Sequence, residues 1–487
     1  MNMRISVIGT GYLGATHAAC LAELGFEVLG VDNNPAKVAM LSAGAVPFSE
    51  PGLETMVARH VRTGRLRFTS DLGEATRFAD VHFICVGTPQ AGFGMAADLS
   101  AVFAVARELA KNLTRDCLII GKSTVPVGTA DMLAFEVARL VPPGVTATLA
   151  WNPEFLREGH GVEDTLRPDR LVFGVSTPEA EGTLRTIYQR PIAAGAPVHV
   201  TDLATAELAK VAANAFLATK ISFINAMAEV SERSGADVVA LADILGDDDR
   251  IGRRFLDAGV GFGGGCLPKD VRAFSARAAE LGAHSVTGLL REVDAINLRA
   301  RQRTVDLANE LCGSGRQGRR RIAVLGAAFK PLSDDVRDSP ALHVADRLHR
   351  QGAEVRVYDP EANINARSVF PQLLYVASAE AALTGADLVL HLTDWPEFAD
   401  LDPNVAGRLV RARRIVDGRN RLDRDRWRRA GWTFRGIGRR EEGTLAPAAP
   451  TTASSGPSDH RDSPFVSGEG RRGRLAVHDH SDLLERT

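Results

Sequence analysis

The stretch Arg4-Ile5-Ser6-Val7-Ile8-Gly9-Thr10-Gly11-Tyr12-Leu13-Gly14 lies near the N-terminus and decides the fold. Its first five residues form a short apolar run, which predicts a buried parallel strand. A helical pattern then continues to about Leu24, Gly25 predicts the helix end, and residues 27–31 predict a second strand that ends at Asp32. This order is typical of dinucleotide-binding units, in which the helix N-terminus holds the pyrophosphate and the acid binds a ribose hydroxyl.

The same pattern indicates which dinucleotide binds. Asp32 favours NAD over NADP, because a carboxylate repels a 2′-phosphate. The alternative interpretation is a tight turn that binds no nucleotide. The glycine pattern alone would be weak evidence, but here it stands between a strand and a helix and is followed by the acid.

Two further strands, predicted at residues 80–86 and 117–121, extend the sheet, with a helix near residues 99–112 between them. The loop Gly87-Thr88-Pro89 follows the first of these strands, and Ser123-Thr124-Val125-Pro126-Val127-Gly128-Thr129 follows the second. Ligands of open parallel sheets bind outside the carboxyl ends of the strands, so both loops are expected on the cofactor side. Each loop taken alone is equally consistent with an ordinary turn.

Carboxylates follow the next predicted strand, at residues 146–150. It leads into Asn152-Pro153-Glu154-Phe155-Leu156-Arg157-Glu158, in which Glu154 and Glu158 share a face if the segment is helical. The alternative is a solvated turn.

A long helix is predicted from Thr201-Asp202, which has helix-capping residues, to about residue 234. Its length suits a connection between domains or a subunit interface. Lys210 and Asn214 lie on one face. Lys210 stands among small apolar residues, so it is either buried with a lowered pKa and a catalytic task or a surface lysine with its ammonium in water.

A cysteine follows a run of glycines in Gly261-Phe262-Gly263-Gly264-Gly265-Cys266-Leu267-Pro268-Lys269-Asp270. The glycines allow close approach of a ligand to the backbone. Lys269 is expected to favour the nucleophilic thiolate, and Asp270 to act as a base or to orient a water. The alternative is a buried, inert cysteine.

Composition restricts the class of protein. The chain has 487 residues, 45% of them hydrophobic, and a net charge of -2, which disfavours nucleic-acid binding. Its five cysteines are scattered, which fits a reducing cytoplasm and predicts neither a disulfide framework nor a metal site. No signal peptide and no unbroken apolar run of membrane-spanning length is evident, so no membrane partner is expected.

The C-terminal third predicts a second α/β unit, with strands at residues 322–325, 354–358 and 387–392 but without the three-glycine pattern. The expected fold class is α/β, with two Rossmann-like doubly wound domains joined by a long central helix. The expected divisions are an NAD-binding domain at 1–200, a central helical domain at 201–312, a UDP-sugar-binding domain at 313–440, and a disordered Pro/Ser/Gly-rich tail at 441–487.

These motifs, in this order, resemble the UDP-glucose/GDP-mannose 6-dehydrogenase family over about residues 3–435. The motifs on which the resemblance rests are the glycine loop with Tyr12, Val86-Gly87-Thr88-Pro89, Ser123-Thr124-Val125-Pro126, Asn152-Pro153-Glu154-Phe155-Leu156, residues 212–217 and residues 261–270. The resemblance implies that C6 of a nucleotide sugar is oxidised twice with NAD, giving a uronic acid.

The resemblance also implies site residues. Cys266 would hold the C6 aldehyde and then the thioester. Asp270, Lys210, Asn214 and a water would supply acid–base and oxyanion groups, with Thr124 and Glu154 around that water. The implied cofactor contacts are Gly9, Gly11, Tyr12, Leu13, Gly14, Asp32, Lys37, Thr88, Thr124, Glu158, Lys269 and Arg337. The implied substrate contacts are Glu154, Phe155, Leu156, Glu158, Lys210, Asn214, Arg250, Phe262, Gly263, Lys330 and Arg419, the last reaching a neighbouring subunit's substrate.

The implied substrate is UDP-glucose, with GDP-mannose and UDP-N-acetylmannosamine as alternatives. Gly265 departs from the family pattern, in which serine often precedes the cysteine; an altered rate is expected. Outside this class, the alternatives are an inactive NAD-binding scaffold and an arginine-rich nucleic-acid binder. The joint presence of Cys266, Lys210 and Asp270 disfavours the scaffold. A cytoplasmic homodimer or larger homo-oligomer is expected.

Overall fold

The structure is a computed structural model and describes residues 3–92, 94–313 and 320–439. The tail predicted at 441–487 lies outside the described residues, as do residues 314–319 at the start of the predicted C-terminal domain.

The N-terminal part contains eight strands: β1 (Arg4–Ile8), β2 (Glu27–Val31), β3 (Leu66–Thr69), β4 (Val81–Ile84), β5 (Cys117–Gly121), β6 (Ala147–Trp151), β7 (Leu171–Gly174) and β8 (Val198–Thr201). They form one sheet in the order β3-β2-β1-β4-β5-β6-β7-β8. β6 and β7 pair antiparallel, so β7 and β8 run opposite to the other six strands. The strand order reverses beside β1, and this is where such sheets bind their ligands.

Among the described residues, nine helices accompany this sheet: α1 (Tyr12–Leu24), α2 (Pro35–Ser42), α3 (Leu53–Arg62), α4 (Leu72–Phe78), α5 (Ser100–Asn112), α6 (Thr129–Leu140), α7 (Gly161–Leu166), α8 (Pro178–Ile187) and α9 (Gln189–Ala193). The central strands are buried on both faces, which is why they are largely apolar, whereas the edge strands β3 and β8 carry polar, partly exposed residues.

Four helices form the central part: α10 (Leu203–Ser234), α11 (Val238–Gly246), α12 (Leu267–Glu280) and α13 (His284–Cys312). Asp202 caps α10 by accepting a hydrogen bond of 2.7 Å from the Thr205 N–H, and Gly235 ends it in the left-handed region. By length and composition, α10 alone among the described helices could cross a membrane, but 44% of its most apolar window is buried in the fold. It packs along α12 and α13 as a core helix.

The C-terminal part contains β9 (Arg321–Leu325), β10 (Glu354–Tyr358), β11 (Leu374–Tyr375), β12 (Leu388–His391), β13 (Arg414–Asp417) and β14 (Thr433–Gly436). They form a parallel sheet in the order β11-β10-β9-β12-β13-β14. Its helices are α14 (Pro340–Arg350), α15 (Asn363–Val369), α16 (Ala379–Leu383), α17 (Pro396–Ala399), α18 (Pro403–Leu409) and α19 (Arg424–Arg429). The predicted α/β class, with two Rossmann-like doubly wound units joined by a long central helix, is confirmed.

Candidate active site

The loop between β1 and α1 forms an open cradle at the helix N-terminus. Gly9 has φ of +90°, and a Cβ on Gly14 would stand 1.7 Å from the Gly9 carbonyl oxygen, so both positions require glycine. Gly11 caps the helix without a side chain, and a Cβ there would meet nothing within 4 Å. The N-terminus of α1 therefore has open space beside Gly11, which suits the pyrophosphate of a dinucleotide.

Asp32 lies at the end of β2, close to this cradle. It accepts hydrogen bonds from the Thr10 N–H (2.9 Å) and the Asn34 N–H (3.0 Å), and it pairs with the Lys37 ammonium at 2.8 Å. Burial opposes the ionisation of Asp32, but the lysine and the backbone donors outweigh burial and hold its pKa below the usual value. The residues present fit a dinucleotide whose ribose hydroxyls bind the carboxylate.

Tyr12 connects the cradle to the segment after β9. Its hydroxyl donates a hydrogen bond to Asp334, its ring packs on Phe48 at 4.2 Å, and the Arg337 guanidinium lies 5.8 Å from the ring centre. Leu13 is half-buried and packs into the core beneath the sheet.

The two loops that follow β4 and β5 meet at a crevice. The Thr88 hydroxyl donates a hydrogen bond of 2.8 Å to the Thr124 carbonyl. Both residues line the crevice together with Lys269 and Asp270 from the first turn of α12. The fold therefore brings loops from the two halves of the sequence to one place.

Cys266 stands directly before α12, and its side chain is exposed to solvent. Asp270 is buried one turn later, where the Asn214 side-chain amide donates to it at 2.7 Å and the Lys269 ammonium lies at 2.5 Å. Lys269 was expected to favour the thiolate, but it pairs with Asp270 instead. Asp270 is thus held by a cation and an amide on its two oxygens.

Lys210 is buried and lies 2.9 Å from Glu154, which also accepts a hydrogen bond of 2.7 Å from the Leu156 N–H. The prediction of a buried lysine is confirmed, but the prediction of a lowered pKa is wrong. Burial alone would lower the pKa of Lys210, but the negative charge of Glu154, followed by its acidic neighbours Cys266 and Asp270, raises it above the usual value. Lys210 is therefore a cation at neutral pH in this site.

The same cluster acts on the thiol. The protein around Cys266, and next the charge of Glu154, raise the pKa of the thiol to about 12, while the positive charge of Lys210 opposes the shift. Although a solvent molecule reaches the sulfur, protein encloses it on the other sides, and the free site holds it as a thiol. Lys210 is the neighbouring cation that favours the thiolate.

A cavity of about 320 Å³ lies beside the glycine-rich segment of residues 261–270, which carries Cys266 and which we call the thiol loop. Its walls include Phe262, Gly263, Lys330 and Arg419. The Arg419 guanidinium donates to the Leu392 carbonyl at 2.6 Å and to the Phe329 carbonyl at 3.0 Å. Within its own chain, these bonds place Arg419 on the wall of this cavity. The expected contact of Arg419 with the substrate of a neighbouring subunit stays a prediction.

Glu158 and Arg337 join the segment after β6 to the C-terminal part. The guanidinium lies 3.0 Å from Glu158 and 2.7 Å from Asp335. Lys330 donates to the Glu158 carbonyl oxygen. Burial, reinforced by Asp335, raises the pKa of Glu158 to about 7, and burial lowers the pKa of Lys330.

Two of the remaining predicted substrate contacts lie near this site, and one does not. The Phe155 ring is stacked beneath the Arg170 guanidinium (3.8 Å to its centre) and lies 5.7 Å from the Lys210 ammonium, with half-buried Leu156 beside it. Arg250 is 88% exposed in its side chain and pairs with Asp248 at 2.7 Å. The fold of one chain does not bring it to the cavity.

Sequence reasoning missed the residues that hold the thiol loop. Asn297 accepts a hydrogen bond of 2.7 Å from the Phe262 N–H and donates one of 3.0 Å to the Phe262 carbonyl, to which Arg301 also donates at 2.9 Å. Both lie on α13, whose amphipathic pattern gave no sign of this task. Within the described part of the chain, no group of three or more metal-binding side chains is arranged to hold an ion.

Three family models match the chain in order. They are those of the UDP-glucose/GDP-mannose dehydrogenase family: its NAD binding domain over residues 3–192, its central domain over 204–299 and its UDP binding domain over 323–424. UDP-glucose 6-dehydrogenase TuaD of Bacillus subtilis is 41% identical over 437 residues, which are 90% of this chain and 93% of the relative. UDP-glucose 6-dehydrogenase of Pseudomonas aeruginosa is 40% identical over 460 residues, 92% of this chain and 100% of the relative.

Solved structures agree with these matches. A UDP-glucose dehydrogenase from the hyperthermophilic archaeon Pyrobaculum islandicum has a TM-score of 0.83 and 39% identity, covering 90% of this chain and 98% of that one. A UDP-D-ManNAc dehydrogenase from Pyrococcus horikoshii has a TM-score of 0.79 and 29% identity, covering 90% and 99%.

Proposed function

The chain belongs to the UDP-glucose/GDP-mannose dehydrogenase family, and we propose that it oxidises C6 of UDP-glucose in two NAD-dependent steps to UDP-glucuronate. The observation that carries the proposal is one cluster around the exposed residue Cys266: Lys210 pairs with Glu154, Asn214 donates to Asp270, and the charges of Glu154, Lys210 and Asp270 act on the thiol. When bound, NAD⁺ accepts a hydride from C6 in each oxidation; the open cradle and Asp32 would hold it.

In the first oxidation, the O6 proton must leave before the hydride does. Because Lys210 is a cation, it stabilises the O6 alkoxide rather than removing the proton. We propose that a water held near Asp270 and Thr124, which line the same crevice, accepts the O6 proton.

The aldehyde must become tetrahedral before a second hydride can leave. The Cys266 sulfur bonds to C6, and the thiol proton ends on O6, giving a thiohemiacetal. Lys210 stabilises the oxyanion, and Asn214 has a second amide hydrogen free for the same task, since it uses one on Asp270. Loss of the second hydride and of the O6 proton leaves a thioester.

Hydrolysis then releases the product. Glu154 takes a proton from a water as the water oxygen bonds to C6. The bond from C6 to sulfur breaks, and the sulfur leaves as a thiolate beside Lys210, which lowers the energy of that leaving group.

UDP-glucose is the substrate that the curated relatives at about 40% identity favour. The relative named UDP-D-ManNAc dehydrogenase supports the alternative more weakly, at 29% identity. The proposed uridine contacts are Lys330, Phe262 and Gly263 in the 320 Å³ cavity, with Arg419 on its wall.

An NADH assay with a panel of nucleotide sugars tests this proposal. Wild-type protein is expected to give two NADH per UDP-glucose, and Cys266→Ala to give no uronate. One NADH per sugar would reject the double oxidation, and equal turnover of GDP-mannose would reject the choice of substrate.

We also propose that the enzyme is a homo-oligomer paired through α10. Phe216, Phe223 and Val230 recur every seven residues on this helix and are 66%, 46% and 55% exposed. Such an apolar stripe is typical of a helix that packs against a second copy. Phe223→Lys is expected to shift the sedimentation coefficient to that of a smaller species. The chemistry requires a reduced Cys266, which favours the cytoplasm.

A further inference from the structure

A second cavity lies behind Glu154, away from the thiol. It has a volume of about 50 Å³, and we call it the rear cavity. Its lining includes Lys122, Asn152, Glu154, Tyr188 and the exposed residue Asp169. It shares no lining residue with the crevice between the loops after β4 and β5, or with the 320 Å³ cavity. A polar space of this size holds about three waters.

Lys122 forms the inner end of the rear cavity. It is buried directly after β5, where its ammonium donates to the Asn152 side-chain oxygen at 2.9 Å and to the Tyr188 hydroxyl oxygen at 3.3 Å. The Tyr188 hydroxyl donates to the same Asn152 oxygen at 2.6 Å. No carboxylate of the described residues pairs with Lys122 within 4 Å, and burial lowers its pKa to about 8. A buried cation with neutral partners destabilises a fold, so its presence calls for a functional reason.

Glu154 separates the rear cavity from the catalytic cluster. It lines the rear cavity and pairs with Lys210 at 2.9 Å, and Lys210 in turn acts on Cys266. Asn152 lies two residues before Glu154, and its backbone carbonyl accepts from Lys122 at 3.4 Å. Glu154 therefore belongs both to the lining of the rear cavity, which includes the exposed residue Asp169, and to the cluster whose charges act on Cys266.

The proposed chemistry requires a route for water and protons. Each oxidation releases one proton, and hydrolysis of the thioester consumes one water and releases another proton as the product acid ionises. At that stage the acyl group on Cys266 fills the space in front of the sulfur, and the sugar nucleotide fills the larger cavity. Water and protons then need a path that neither ligand blocks.

We propose that the rear cavity supplies the hydrolytic water to Glu154 and carries protons away, and that Lys122 is the positioning residue that keeps its inner wall in place. This inference rests on the proposed function. It assigns to Lys122 a role in hydrolysis and none in either hydride transfer.

Lys122→Met tests the inference, with Lys111→Met on the exposed surface of α5 as its control. Rapid mixing with UDP-glucose and excess NAD⁺ is expected to give a fast burst of two NADH per active site, followed by turnover about tenfold or more slower than in wild type. Mass spectrometry of the quenched protein is expected to find the sugar nucleotide acylated on Cys266. The control is expected to behave as wild type.

A uniform slowing of both hydride transfers without a burst or an adduct would overturn the inference, as would unchanged turnover. Should Lys122→Met not fold, Tyr188→Phe removes one hydroxyl from the same wall and must show the same burst. Failure of the wild-type protein to form NADH from any nucleotide sugar would instead reject the proposed function, so the two failures are distinguishable.

Discussion

The Lys210 ammonium and the Glu154 carboxylate lie 2.9 Å apart, with 6% and 11% of their side chains exposed. The carboxylate keeps the buried ammonium charged, because a buried ion without a partner is costly. Burial pulls the pKa of Lys210 down and the carboxylate raises it. Glu154 therefore determines how far toward alkaline pH the site keeps its cation.

Glu154→Gln is expected to shift the alkaline limb of the kcat/KM profile for UDP-glucose to lower pH by about one unit or more. The reason is that the negative charge of Glu154 no longer raises the pKa of Lys210, whereas burial still lowers it. The measurement is NADH formation between neutral and alkaline pH. Glu229→Gln is the control, because Glu229 is exposed on α10, the helix that carries Lys210. An unmoved alkaline limb would show that Lys210 does not carry the charge that the reaction needs.

Gly265 leaves the space that the Arg337 guanidinium occupies. A Cβ at this position would stand 2.1 Å from the Arg337 Cζ. Gly265→Ala is therefore expected to displace the guanidinium from Glu158 and Tyr12 and to raise the KM for NAD⁺ severalfold, with a small effect on folding because the displaced group ends a flexible side chain.

The control for this prediction is the Arg337→Ala background, in which Gly265→Ala has nothing to displace. The two substitutions are expected to be strongly non-additive in KM. Additive effects would mean that the glycine serves the loop backbone and not the arginine.

Asn297→Ala is expected to loosen the thiol loop, because it removes both side-chain bonds to the Phe262 backbone. One buried N–H is left without a partner, which costs about 1–3 kcal/mol. Thermal unfolding is expected at a lower temperature, and kcat is expected to fall more than the KM for NAD⁺ rises. Asn309→Ala, further along α13, should leave kcat unchanged; equal losses in both variants would contradict the role of Asn297.

Glu207 holds the loop after Thr124 by accepting from the Gly128 N–H (2.7 Å) and the Ala130 N–H (2.6 Å). Burial raises its pKa to about 7 from 4.5. The native state therefore binds more protons than the unfolded state between these values, so this group makes stability fall as pH rises through that window.

Glu207→Gln is expected to remove that pH dependence and to lower stability at acidic pH by about 1–3 kcal/mol, because an amide nitrogen now faces a backbone donor. The difference from wild type should shrink as pH rises, because only the wild type loses stability through that window. Urea unfolding at several pH values measures both effects. A variant whose stability keeps the wild-type slope between pH 4.5 and 7 would contradict the assignment.

Local sequence predicted the elements well. The strand at residues 4–8, the helix that ends before Gly25 and the long helix with its Asp202 cap all form as predicted. Each depends on signals within a few residues: an apolar run, a glycine that ends a helix, or a side chain that caps one. The reversed direction of β7 and β8 carried no such signal, because a buried strand has the same composition in either direction.

Local sequence establishes which groups are available: the thiol, its glycine loop, and the lysine and asparagine on one helix face. Their charge states and partners depend on how distant segments pack together. That packing placed Lys269 on Asp270, gave Lys210 a carboxylate that reverses the effect of burial, and bonded Arg419 to the Leu392 carbonyl. The physical reason is that a charge is set by every group within a few ångströms, and those groups come from distant parts of the chain.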